Sequence, residues 1–197
     1  MKKLSFVLAL AFLLVPVSSQ AKKFTFDVKS KFVNITFESR MAVEDILGTT
    51  NQLEGHFEWS SKSDGSFVLK VPVESLKTGI DMRDKHLQSK SWLDAKNHPH
   101  IVLKGDTLKH VKRDQYKVEG KLTMHGVTKP FSTTVSIRRI PASVAAKQRM
   151  GDAEWIRVRA DFKVKLSDFN VTIPDMAAAK VNDEWSVKVS LFGKEVK

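Results

Sequence analysis

The segment RDKHLQSKSWLDAKNHPH, residues 83–100, holds three of the chain's six histidines and two aspartates. Imidazoles and carboxylates are the ordinary ligands of zinc and the ordinary general acids and bases. On an extended segment His98 and His100 point the same way, so as a pair they could fill two positions around an ion. Zinc would need at least one further protein ligand, from Asp94, His110 or His125. A metal-assisted hydrolase built on His86, His98 and His100 is therefore one reading of the segment.

The other reading is a strap that closes a domain. Asp81 can cap a helix beginning at Met82, with Asp84 in the first turn, where the helix dipole favours negative charge. About three turns would follow, with Met82, His86 and Leu93 on one face and Leu87 and Trp92 to either side. His86 then points with the apolar face, where a histidine is ordinarily a buried residue with a satisfied hydrogen bond. Pro99 disfavours helix at His98 and ends it. On this reading the segment is structural, with no catalytic residue, no metal and no cofactor. Other catalytic layouts are missing: there is no Gly-x-Ser-x-Gly elbow and no phosphate-cradling glycine loop, and with no cysteine there is no thiol nucleophile and no disulfide.

The elements that must position this segment have a period of two. Leu53, Gly55, Phe57 and Trp59 alternate with Glu54, His56 and Glu58, the mark of a half-buried strand. The pattern recurs at 24–28, 33–37, 67–73, 101–108, 116–124, 131–137, 156–166 and 185–191, giving about eight or nine strands. Turn signals at 61–66, 112–115 and 125–130 make neighbours antiparallel. Each strand has one apolar and one charged face, and closing the sheet into a barrel buries the first and removes the edges. A two-sheet sandwich would show the same alternation, and periodicity alone does not separate the two. Gly55, Gly120 and Ala160 on the inner face would leave room for an apolar guest. The loop 167–180 carries Phe169, Val171, Ile173 and Met176, either as a flap over a mouth or as pins beneath the loop. Residues 141–153 read as an exposed insertion.

Residues 1–21 have Lys2 and Lys3, an apolar run from Leu4 to Val17 and small residues before a cleavage point after Ala21. That is a secretory signal peptide, and the run is too short to span a bilayer. The product, residues 22–197, is expected to be one periplasmic domain. Without Lys2 and Lys3 it keeps 31 of the 33 basic residues against 22 acidic ones, a net charge of +9. This favours transient contact with an anionic membrane surface. The basic residues alternate outward without exposed aromatics among them, so no nucleic acid is expected as a partner.

Two long stretches carry a resemblance. LKTGIDMRDKHLQSKSWLDAKNHPHIVLKGDTL at 76–108 and YKVEGKLTMHGVTKPFSTTVSI at 116–137, with SDFNV from Ser167, resemble the signatures of the YceI-like exported, polyisoprenoid-binding family. Thr78, Gly79, Arg83, Asp84, His86 and Leu87 match the first signature. Gly120, Leu122, Thr123, His125, Gly126, Val127 and Thr128 match the second. The chain departs from the family pattern at Lys29-Ser30, at Leu166 and Asn170, and at Trp92-Leu93.

The resemblance implies an all-β fold: an eight-stranded antiparallel, lipocalin-like barrel with a short helix and long loops at the mouth. It also implies a long-chain isoprenoid or other aliphatic lipid as ligand, bound without enzymatic activity. Phe37, Phe57, Leu69, Leu122, Met124, Phe162, Val164 and Trp185 are expected to line its cavity. The rival to the carrier is a filled barrel acting as a protein-interaction or stress-related module. A homodimer is compatible with either.

Overall fold

The computed structural model describes residues 21–27, 32–61 and 64–196. The expected signal peptide up to Gln20, the end of the first expected strand at Val28 and the Lys29-Ser30 departure lie outside the described residues.

The described residues form ten strands: β1 (Lys22–Phe26), β2 (Asn34–Arg40), β3 (Asp45–Thr50), β4 (Glu54–Ser61), β5 (Asp64–Pro72), β6 (His100–Lys112), β7 (Gln115–Met124), β8 (Val127–Ile140), β9 (Trp155–Lys165) and β10 (Glu184–Val196). All pairings are antiparallel, in the order β1-β4-β5-β6-β7-β8-β9-β10-β2-β3. β10 also pairs with β1, Lys23 opposite Val196, so the sheet closes on itself.

β1 and β2 both lie along β10, and they pair respectively with β4 and β3. They are two halves of one interrupted stave, and β3 with β4 makes a second. The result is the expected eight-stranded barrel, with no room for the sandwich alternative. Closure satisfies the edge N–H and C=O groups that an open sheet would leave for other chains, except along β3, whose far side meets the strap through the Thr49–Lys77 bridge.

The alternation read from the sequence is the alternation observed. Along β7, Tyr116, Val118, Leu122 and Met124 are buried while Lys117 and Lys121 are exposed. β3 was not expected. Its inward positions are Ile46, Gly48 and Thr50, and its outward side carries Leu47, 61% exposed. Gly48 stands inward because the Phe37 ring occupies the place of its side chain: a Cβ there would lie 2.1 Å from the ring. Thr50 is buried and hydrogen-bonded to Ser75, whose own proton goes to Pro72 O at 2.6 Å, so Thr50 is the donor. An inward glycine and threonine beside an outward leucine erase the hydrophobic signal of a strand.

The interior falls into two clusters. One is centred on Phe24, Leu108, Ile156 and Leu191; the other, around Phe37, Leu93, Phe169 and Trp185, lies at the strap end. The strap, 73–99, contains a single turn of 3-10 helix (Val73–Ser75) and α1 (Asp81–Gln88). The insertion at 141–153 is not wholly irregular: it holds a second short helix, α2 (Ala142–Lys147), pinned by the fully buried Ala145.

Candidate functional site

The barrel encloses a cavity of about 220 Å³. One water needs only ~10–15 Å³ on this measure, so the space is far larger than a packing defect. Its wall is apolar apart from Thr133, so water inside would forgo hydrogen bonds that an apolar guest does not need. The barrel is therefore not filled, contrary to that feature of the rival reading.

Phe37, Phe57, Leu69, Leu122, Met124, Phe162, Val164 and Trp185 all stand in the cavity wall. Trp185 packs on Phe37, ring centroids 5.5 Å apart, and Phe131 meets Phe162 edge to face at 5.0 Å. Of the small inner residues only Ala160 borders the space. Gly55 and Gly120 serve close backbone approach instead. A Cβ at Gly120 would lie 2.2 Å from Lys104 O, and one at Gly55 would lie 2.1 Å from Val68 O. Their small size lets strands converge and adds nothing to the cavity.

Strap residues Leu76, Leu87, Trp92 and Leu93 complete the wall. The expected helix face is rotated relative to the observed one: Met82 is 63% exposed, His86 is exposed, and Asp84 is buried. The reason is polar. Asp84 lies in the first turn as expected but turns its carboxylate inward, and Asp81 makes no capping bond; Ile80 occupies the N-cap. Asp84 Oδ1 accepts hydrogen bonds from the Thr78 N–H at 2.7 Å and from Thr78 Oγ1 at 2.6 Å, while Lys77 lies 3.7 Å from Oδ2.

Arg83 completes this clamp. Its Nε donates to Thr78 Oγ1, and its terminal nitrogens donate to Thr78 O and, at 2.6 Å, to Glu44 between β2 and β3. Burial pushes the Asp84 carboxyl up, but the Thr78 hydrogen bonds and the Lys77 and Arg83 charges outweigh it and hold it below the usual aspartate range. A carboxylate turned inward to fasten the strap thus takes the place that apolar spacing assigned to His86.

The histidines separate. His86 is exposed, His100 opens β6 opposite Pro72, and His110 bonds the Arg113 carbonyl at 2.9 Å. The trio His86, His98 and His100 does not come together, which removes the geometry on which the hydrolase reading rested. His98 lies instead beside His125, ring centroids 5.3 Å apart, with Asp94 next to both. In loop 167–180, Phe169 and Val171 are buried as pins, whereas Met176 is 89% exposed.

A closed barrel of eight staves around an apolar cavity is of the lipocalin-like class. The chain matches the YceI-like domain model over residues 24–192, and it belongs to that family. A UPF0312 protein of Pectobacterium atrosepticum is 29% identical over 181 residues, with 87% of each chain covered. Protein YceI of Salmonella newport is 28% identical over 198 residues, covering 96% of this chain and 97% of its own.

Among solved structures, Burkholderia cenocepacia BcnA superposes with a TM-score of 0.70 at 20% identity, over 84% of this chain and 99% of that one. A polyisoprenoid-binding domain from Saccharophagus degradans, implicated in plant cell wall breakdown, gives 0.66 at 16% identity, over 90% of this chain and 100% of its own. At these identities the likeness establishes the shared fold.

Proposed function

We propose that the protein is a periplasmic carrier that takes a long apolar chain, an isoprenoid or a long acyl group, out of water and into the barrel, without catalysing a reaction. The observation that carries this reading is the apolar cavity running between the two core clusters. The polyisoprenoid-binding domain of the same fold supports that ligand class, and the leader-like residues 1–21 support export. Burial contributes ~0.8 kcal/mol per methylene, so about ten groups supply ~8 kcal/mol gross. A micromolar complex needs about 8 kcal/mol net, and ordering the chain adds a cost. Long chains are therefore favoured over short ones.

The strap end is the side proposed to meet a membrane. Val43, Ile80, Met82 and Met176 are exposed there at 66, 51, 63 and 89%, among the exposed Lys77, Lys85, Lys90 and Lys180. The Arg83–Glu44 pair and the Asn182 bond to Arg40 O hold these segments at one end of the barrel.

The test is to export the full chain, purify it without detergent and extract it for lipid mass spectrometry. One equivalent of a long-chain lipid is expected, and an Ala160→Phe variant with unchanged circular dichroism should have lost it. Lipid retained in that folded variant, or a wild type that neither carries lipid nor binds a fluorescent long-chain lipid analogue, overturns the proposal.

A further inference from the structure

A second cluster of chemically competent groups lies at the foot of the strap. Segment 94–98 is a single helical turn: the N–H groups of Asn97 and His98 donate to Asp94 O at 3.0 and 2.8 Å. Asp94 enters this turn with a left-handed backbone, φ 45°, and its carboxylate lies within 4.8 Å of a ring nitrogen of His98. His125 arrives from another element. With Gly126 it forms the two-residue turn between β7 and β8, at φ values of 50° and 75°, the left-handed pair that a type I′ hairpin requires. Gly126 gives the His98 ring its place, since a Cβ there would come within 2.6 Å of it.

The chemistry of the three groups converges. His125 Nδ1 lies 3.1 Å from the carbonyl of Phe169. A carbonyl only accepts, so Nδ1 carries the proton and Nε2 is left with a free lone pair, the arrangement that orients a metal-binding histidine. Asp94 is 8% exposed, and its Oδ2 accepts from Asn97 Nδ2 at 2.7 Å, which fixes the carboxylate as a second-sphere amide would. No lysine or arginine pairs with Asp94 among the described residues, and its buried carboxylate faces the imidazoles of His98 and His125. One ligand atom from each of Asp94, His98 and His125 lies within 4.8 Å of the other two, and this is the sole such group of three among the described residues.

We infer that Asp94, His98 and His125 form a site for one divalent transition-metal ion of the zinc class. Two nitrogens and one carboxylate oxygen are a donor set such ions accept, with a fourth position left to solvent. Ligand atoms around a tetrahedral zinc stand roughly 3.3 Å apart, so binding would draw these three groups inward from their present spacing of up to 4.8 Å. The ion joins the strap, the β7–β8 hairpin and, through Phe169, the loop 167–180. It thereby fastens the C-terminal end of the strap, as the Asp84 clamp fastens its helix. Because the three ligands meet only in the folded chain, the ion stabilises the fold by mass action. The site stands whether or not the cavity carries lipid.

The test uses the exported full chain, purified without a polyhistidine tag and stripped with a chelator. Titration with Zn²⁺ by calorimetry should give one equivalent, and Co²⁺ should give the intense visible band of a four-coordinate ion. His98→Gln and Asp94→Asn are each expected to weaken binding at least tenfold and to abolish that band. Asp94→Asn keeps an acceptor for Asn97, and His100→Gln, outside the cluster, should bind as the wild type does. Binding well below one equivalent overturns the site, as does binding that both cluster variants leave intact. Should Asp94→Asn fail to fold, the half-buried His98 variant decides alone.

Discussion

At the scale of single residues, Asp84 shows how a buried charge can organise a segment that apolar spacing misjudges. Its carboxylate holds both donors of Thr78, the N–H and the hydroxyl, so Asp84→Asn removes charge-assisted hydrogen bonds from a buried site. A loss of about 1–3 kcal/mol at neutral pH is expected, seen as a Tm lower by roughly 2–12 °C. The sign of the pH dependence follows from the depressed folded value. The contribution is fully present above the usual aspartate range and is lost as pH falls through the lower folded value. The gap in Tm between wild type and variant should therefore close on acidification. A gap that stays constant down to that range would show that the charge on Asp84 does not fasten the strap. Large inward residues were the most legible from sequence, because alternation fixes their side: all eight expected wall residues stand in the wall. Small ones were not. Glycine has no side chain to report whether its neighbour is a guest or a backbone, and at Gly55 and Gly120 it is a backbone.

At the scale of elements, the strap is held by polar contacts more than by its helix. α1 has eight residues and no capping side chain, too short to persist in isolation. Thr50 to Ser75, the paired Thr49 and Lys77 backbones, and Arg83 to Glu44 tie it to the β2–β3 hairpin. Arg83→Met should therefore accelerate amide hydrogen exchange across 77–88 by several-fold while the protection of β7 and β9 changes little. Equal acceleration everywhere would mean that Arg83 supports the whole barrel instead. The existence of the strap was legible from Pro99 and from the break in period, whereas its orientation was not, since Met82 and His86 were assigned to the face that Asp84 occupies. β3 was invisible for a related reason: tertiary contacts with Phe37 and Ser75 decided which of its residues turn inward.

At the scale of the whole molecule, many short antiparallel strands with one apolar face must cover that face by closing or by stacking, and the pairing of β1 with β10 decides for closure. What periodicity could not foresee was that two of the eight staves are each built from two pieces. The excess of positive charge is likewise a property of the molecule as a whole, and it yields a prediction about transfer. Uptake of a fluorescent lipid analogue should be faster from anionic than from neutral vesicles. The advantage should fade as the Debye length shrinks from ~10 Å at 0.1 M salt to ~3 Å at 1 M. Rates indifferent to both lipid charge and salt would remove the membrane-facing role of the strap end. The pairing of Lys23 with Val196 sets an order of events as well as a shape. The barrel is sealed by the first and last strands described, so its longest-range contact closes late and slowly. Without β10 in place, the apolar faces of its neighbours β1, β2 and β9 lie open to any sticky surface. Cutting away β10 would not shorten the vessel but unroll it, because the interior comes into being only with the 13 residues of that strand.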